Sequence, residues 1–164
     1  MAQLKTDFEK LLEDASDEEK EILSIVLQAL ERKRAKPSSS YIGGLLGAEA
    51  EASEDSSSFS ISIPNTPLIQ NALNIVHGGI TATLLDSTMG SLVHWILPES
   101  HAAVTTEMKI NYVAPGTGKQ LTCKAELIHK GTKIVVTEGK VFRDDGVLLA
   151  HSTASFFIIE RKQL

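Results

Sequence analysis

What this 164-residue chain lacks narrows its chemistry before any motif is read. It has a single cysteine, Cys123, which cannot make an internal disulfide or a multi-cysteine zinc site. It has no excess of positive charge: 16 basic side chains against 21 acidic ones leave a net charge of −5. That balance gives no general electrostatic reason to bind nucleic acid or an acidic membrane surface. It has no long apolar run. The most weakly charged stretch, Gly78 to Pro98, is interrupted by Asp86 and His94 and reads as a core helix, not a membrane span. The start, MAQLKTDFEKLLED, is charged every few residues and has no apolar signal-peptide core, so a soluble, cytoplasmic protein is expected. There is no internal repeat. His94, His101, His129 and His151 share no metal-ligand spacing, so no metal site is expected of them.

What is present falls into three regions. Up to about Lys36 the chain reads as helical. Leu4, Phe8, Leu11 and Leu12 follow one helix face, and Ser16 with Glu19 makes an S-x-x-E capping box that starts a second helix. Ile22, Val26, Ala29, Leu30 and Lys33 share a stripe on that helix, and Pro37-Ser38-Ser39-Ser40 stops it. From Tyr41 to Asn74 the chain reads as extended and irregular. Tyr41 to Gly47 is expected to be a first strand, and Glu49, Glu51, Glu54 and Asp55 an exposed turn or strand end. Phe59, Ile61 and Ile63 alternate with serines as in a half-buried strand.

The third region holds a helix over Gly78 to about Leu97, apolar on nearly every side and so expected to be surrounded by protein. Four strands follow. In the first, Val104, Thr106, Met108, Ile110 and Tyr112 alternate with Thr105, Glu107, Lys109 and Asn111; in the second, Leu121, Cys123, Ala125 and Leu127 alternate with polar residues. Gly131-Thr132 turns into a third, and Asp145-Gly146 is a hairpin signal before a long last strand. The expected class is α+β: helices, strands, one enclosed helix, then an antiparallel meander. Residues 1–36 are a helical extension, and residues 41–164 the main domain.

Chemistry concentrates in Asn71–Asp86. Gly78 and Gly79 open the enclosed helix, whose first N–H groups lack internal acceptors and carry partial positive charge. Two glycines there permit either a tight, close-packed helix start or close approach of a ligand whose developing oxyanion the N–H groups would hold. Asp86 is the only acid between Ile75 and Pro98, with no Lys or Arg within a turn or two. In an oily helix it is either hydrogen-bonded by neighbours such as Thr83 and Ser87, or a carboxylate set up as general base or nucleophile. Eight residues of helix separate Gly78 from Asp86, roughly 12 Å along the axis. One carbonyl carbon cannot touch both in the same chain, so a site using both requires two subunits. His77 reads as a base, a donor to a substrate carbonyl, or a loop anchor; Asn71 as a turn residue or a water-orienting group.

The pattern N-x5-H-G-G-x7-D, here Asn71, His77-Gly78-Gly79 and Asp86, resembles the PaaI-like hotdog-fold acyl-CoA thioesterases. Met108 to Pro115, with its Tyr-x-x-Pro, is similar to that family's strand and proline turn. The likeness spans about Tyr41 to Ile159. It implies a hotdog fold, a long central helix wrapped by a curved antiparallel sheet, here with an extra N-terminal helical segment. It implies a homodimer with shared sites, often a homotetramer, that hydrolyses acyl-CoA with no metal and no cofactor. Carried over by position, Gly78 donates its N–H to the thioester oxygen with help from His77, and Asp86 of the facing subunit attacks or activates water. Asn71 positions that water or the thioester, and Thr105 supplies a hydroxyl. Gly79 and Tyr112 flank the substrate. Lys130, Gly131, Thr132 and Lys133, a Gly-centred basic turn, meet CoA phosphates.

Two other functions fit the same residues. A hotdog dehydratase would use a His and a carboxylate on 3-hydroxyacyl thioesters, although Asp nine positions after His suits a thioesterase better. A non-catalytic acyl-CoA-binding or regulatory module would use its N-terminal helices to meet a partner. Those helices have three candidate roles: packing on the sheet, covering an acyl pocket or mediating assembly.

Overall fold

The structure, a computed structural model, describes residues 1–37, 39–54 and 57–161; Ser38 and Asp55 of the motifs above lie outside the described residues. It divides into two compact units, Met1–Gly47 and Ala48–Leu164.

The first unit is helical. α1 spans Ala2–Asp14 and α2 spans Asp17–Ala35. The expected capping box is complete: the Ser16 hydroxyl accepts from Glu19 N–H while the Glu19 carboxylate accepts from Ser16 N–H at 2.7 Å. These two bonds satisfy backbone donors at the helix start, and the Ser16 hydroxyl and N–H, both 2.7 Å from the Glu19 carboxylate, hold that carboxyl below its ordinary pKa. Tyr41 to Gly47 is not a strand. Tyr41–Leu45 forms a short helix, α3, whose Ser40 cap accepts from Gly43 N–H at 3.0 Å. Gly44 sits where a Cβ would lie 3.1 Å from the Ala29 backbone, so its missing side chain lets α3 pack closely on α2. The helical part therefore runs past residue 36.

The second unit is a sheet laid on one helix. Its strands are β1 (Glu49–Ala52), β2 (Ser58–Pro64), β3 (His101–Tyr112), β4 (Gln120–Lys130), β5 (Ile134–Arg143) and β6 (Leu148–Glu160); α4 (Gly78–Ile96) packs on it. All pairings are antiparallel, in the order β1-β2-β4-β5-β6-β3. Thus β4, β5 and β6 form the expected meander, but β3 leaves it and pairs with β6 at the far edge. The core lies between α4 and the sheet. Leu84, Leu85, Met89, Leu92 and Val93 of the helix meet a floor built from Ile61, Ile63, Leu121, Cys123, Val135, Val141, Ala154 and Phe156, all buried. Gly139 admits the helix closely, since a Cβ there would stand 3.0 Å from Leu85 Cδ2. Burial pushes the Cys123 thiol up to about 12, which keeps it protonated and unreactive.

α4 is not enclosed within one chain. Its buried residues face the sheet, while Thr83, Asp86, Ser87, Gly90 and Ser91 are half-exposed and His94 and Trp95 are exposed. Among the described residues no helix is long and apolar enough to cross a membrane.

Candidate active site

The start of α4 is held by backbone bonds to two neighbouring loops. Val76 N–H donates to Gly116 O at 2.8 Å, His77 N–H to Ile69 O at 2.9 Å, and Gln70 pairs with Val76. Gly116 is packed so tightly that a Cβ would meet Val76 Cβ at 2.8 Å. Sequence reasoning passed over Gly116, although the Pro-Gly pair that ends the Tyr-x-x-Pro stretch was its available signal. Asn71 organises the intervening loop. Its Oδ1 accepts from Leu73 N–H at 2.9 Å, its N–H donates to Ile75 O, and Asn74 takes the left-handed conformation at φ 56°. Asn71 therefore spends its oxygen on the turn; its Nδ2 has no acceptor among the described residues.

His77 is the N-cap of α4. Its Nδ1 accepts from Gly79 N–H at 2.9 Å. A ring accepting at Nδ1 carries its neutral-form proton on Nε2, which makes the outer edge of the ring a donor. The two glycines are not equivalent. A Cβ on Gly79 would meet His77 Nδ1 at 3.1 Å, so glycine there makes room for the cap. A Cβ on Gly78 would only touch Tyr112 at 3.7 Å, an ordinary contact, so nothing in its own chain demands glycine. The Gly78 N–H has no acceptor among the described residues. Tyr112 closes this corner by donating its hydroxyl to Gly78 O at 2.9 Å.

Eight residues along the helix, Asp86 is half-exposed in the single chain, not buried as its oily surroundings suggested. Its Oδ1 accepts from Thr105 Oγ1 at 2.8 Å, while Thr83, one of the expected partners, donates instead to Gly79 O. Simple alternation puts Thr105 on the face opposite Met108. A β-bulge between Thr105 and Glu107 reverses that parity: Thr105 pairs with Phe156 and Met108 with Ala154, both buried on the helix side. Val104 correspondingly pairs with Phe157 on the outer face, away from the side where strict alternation had placed it.

The predicted residues thus fall into three places in one chain. Asn71, His77, Gly78, Gly79 and Tyr112 gather at the start of α4, and Asp86 with Thr105 at its middle. Lys130, Gly131, Thr132 and Lys133 lie at its far end, where Lys130 Nζ donates to Ile96 O at 2.7 Å. That bond satisfies a terminal carbonyl and places a cation at the helix's negative end. Gly131 N–H closes the turn on Ile134 O, and the Thr132 and Lys133 side chains are exposed. No group of three or more His, Cys, Asp or Glu residues placed to hold a metal ion occurs among the described residues. A cavity of about 380 Å³ opens along β1, β2 and β4, lined by Glu51, Ser60, Lys124 and Glu126 among others, and includes none of the predicted site residues.

Comparison with known proteins gives this arrangement a family. A model of the Thioesterase superfamily matches residues 73–150, the stretch that carries every residue at the start and middle of α4 except Asn71. The medium/long-chain acyl-CoA thioesterase YigI of Salmonella typhimurium is 24% identical, over 69% of this chain and 82% of that protein. The crystal structure of a Bacillus halodurans protein with CoA is 42% identical over 92% of this chain and 99% of the other, with a TM-score of 0.86. The thioesterase HI1161 of Haemophilus influenzae shares the fold, with a TM-score of 0.71 at 21% identity, over 80% of this chain and 90% of that one. The chain belongs to the thioesterase superfamily, a family of thioester-hydrolysing enzymes with the hotdog fold.

Proposed function

We propose that this protein hydrolyses acyl-CoA thioesters to free acid and CoA at sites shared by two subunits. The observation that carries the reading is on α4 itself. A helix-start N–H without an acceptor and a carboxylate held by a threonine hydroxyl lie eight residues apart on one helix. About 12 Å of helix axis separates them, so each can serve one thioester only if they come from facing copies. A homodimer is then the smallest working unit, and a pair of such dimers gives the homotetramer. The facing subunit also removes water from Asp86, which is open in a single chain.

In this mechanism Gly78 N–H and His77 Nε2–H point at the thioester oxygen and stabilise the charge that develops there. Asp86 Oδ2 has no partner among the described residues while Thr105 fixes Oδ1, so its attack direction is set by a single hydrogen bond. It acts on the carbonyl carbon directly, through an acyl–Asp anhydride that water then opens, or by taking a proton from a water oriented by Asn71 Nδ2. CoA thiolate leaves without strong acid assistance because a thiol has a pKa of about 8.5. The basic turn lies about 15 Å along the axis from Asp86 but about 27 Å from Gly78 of the same chain. The chain that supplies the carboxylate therefore also supplies the phosphate contacts, from Thr132 and Lys133, with Lys130 already holding the helix end. The similarity to YigI and to a protein crystallised with CoA supports acyl-CoA as the substrate class. The work is done in the cytoplasm.

The test is thiol release from short, medium, long and aryl acyl-CoAs by the wild type and by Asp86→Asn. Turnover should fall at least a thousandfold in the variant with substrate binding kept. Near-normal hydrolysis by Asp86→Asn removes Asp86 from the chemistry. A single turnover in H₂¹⁸O reports the route: label in the Asp86 carboxylate marks an anhydride that water opens at the Asp86 carbonyl, since attack by an Asp86-activated water puts the label in the released acid alone.

A further inference from the structure

Two consecutive glycines are the least constrained way to begin a helix, because neither has a Cβ to restrict its backbone. An N–H that must meet an oxyanion needs the opposite quality, a direction fixed before substrate arrives. The surrounding chain supplies that direction at several points. Behind Gly78, Val76 and His77 are tied through their N–H groups to Gly116 and Ile69. Ahead of it, the Tyr112 hydroxyl donates to Gly78 O, and the Tyr112 ring covers the side where a Cβ would be, 3.7 to 3.8 Å away. Tyr112 is itself anchored: it is the last residue of β3, paired with Ala150, and the next two N–H groups, of Val113 and Ala114, both donate to Leu149 O.

We infer that Tyr112 is a positioning residue for the oxyanion donor and not a substrate ligand. Its hydroxyl pins the Gly78 carbonyl, and through it the peptide whose N–H, on Gly79, is capped by His77. Both sides of the Gly78 Cα are then fixed, and the free Gly78 N–H keeps one orientation. Strand β3 thereby aligns both halves of the chemistry, with Tyr112 at Gly78 and Thr105 at Asp86. The inference rests on the thioesterase reading for its kinetic consequence but not for its structural one.

The experiment is Tyr112→Phe, which keeps the ring and removes only the donor. Two readouts are taken: steady-state thiol release, and the exchange rate of the Gly79 amide followed by NMR. The expected result is a kcat about tenfold lower with KM within about twofold, because orientation in the transition state is lost and ground-state binding is not. Gly79 exchange should quicken severalfold as the helix start opens more often. A raised KM with kcat kept, or no kinetic change, overturns the inference. If the wild type turns over no acyl-CoA, the thioesterase reading fails, and exchange alone judges the clamp: faster exchange sustains it and unchanged exchange overturns it.

Discussion

Exchanging the two glycines for alanine, one at a time, separates a helix start built for packing from one built for a ligand. At Gly78 the backbone φ is not positive, and a Cβ would make only ordinary contact with Tyr112 at 3.7 Å. Alanine is the better helix former by up to about 1 kcal/mol. Gly78→Ala should therefore melt at the wild-type temperature or up to about 3 °C higher, given the usual entropy of unfolding for a chain this size. Its activity should nevertheless fall, since the added methyl crowds the approach to the free N–H. A displacement of bound substrate by about 1 Å costs on the order of a hundredfold in kcat. At Gly79 the methyl would stand 3.1 Å from His77 Nδ1 and 3.3 Å from Cε1, so the ring must give way and the 2.9 Å cap bond weakens. Losing an N-cap costs about 1 kcal/mol, which cancels or exceeds the helix-propensity gain. Gly79→Ala should gain nothing in stability. Thermal melts and thiol release on both variants decide the matter. A Gly78→Ala protein that melts several degrees lower while hydrolysing normally would show that Gly78 is glycine for packing, and the reasoning would fail.

Two further outcomes follow from the same geometry. His77→Asn replaces one acceptor cap by another that helix starts favour, so the melting temperature should stay within about 2 °C, while loss of the Nε2 donor should lower kcat on the order of a hundredfold; full activity would leave His77 a cap alone. On the outer face of the sheet, His151 and Lys140 hydrogen-bond Glu138 at 3.1 Å and hold its carboxyl below the ordinary glutamate value. The stability this adds is present above about pH 4.3 and is lost as pH falls through the depressed value. Glu138→Gln should therefore melt about 1–3 °C below wild type at pH 7, a difference that shrinks in acid and disappears once the wild-type carboxyl is protonated. A gap that stays constant down to pH 3 contradicts that assignment.

Local signals were readable where local physics decides. The Ser16–Glu19 box, the Ile61 and Ile63 alternation and the Asp-Gly turn each involve residues a few positions apart, and each forms as its pattern suggests. The short apolar run Tyr41 to Gly47 misled because length, not period, separates strand from helix there; Ser40 capping Gly43 and the Gly44–Ala29 contact settle it as helix. The edge position of β3 is a long-range pairing that no hairpin signal encodes. The bulge at Thr106 is invisible to alternation, since one inserted residue reverses every face beyond it, and that reversal is what turns Thr105 toward Asp86. The family resemblance named Thr105 where the period pointed it the wrong way. Asp86 was legible as an isolated acid, but its exposure was not, because half of its surroundings lie outside a single chain in the proposed assembly. Lys130 carried a charge pattern suited to phosphates, yet its bond to Ile96 O depends on where a helix ends relative to a distant turn.

Mixing two inactive variants tests the shared site most directly. Asp86→Asn lacks the carboxylate and Gly78→Val obstructs the amide, so each homodimer has two defective sites. After dissociation and random reassembly, half of the dimers hold one of each chain. If Gly78 of one subunit works with Asp86 of the other, each mixed dimer regains one intact site, and activity should return to about a quarter of wild type for a two-fold assembly. Mixed dimers, shown to form by mass spectrometry, that stay as inactive as their parents would mean the two groups never serve the same thioester across a subunit boundary.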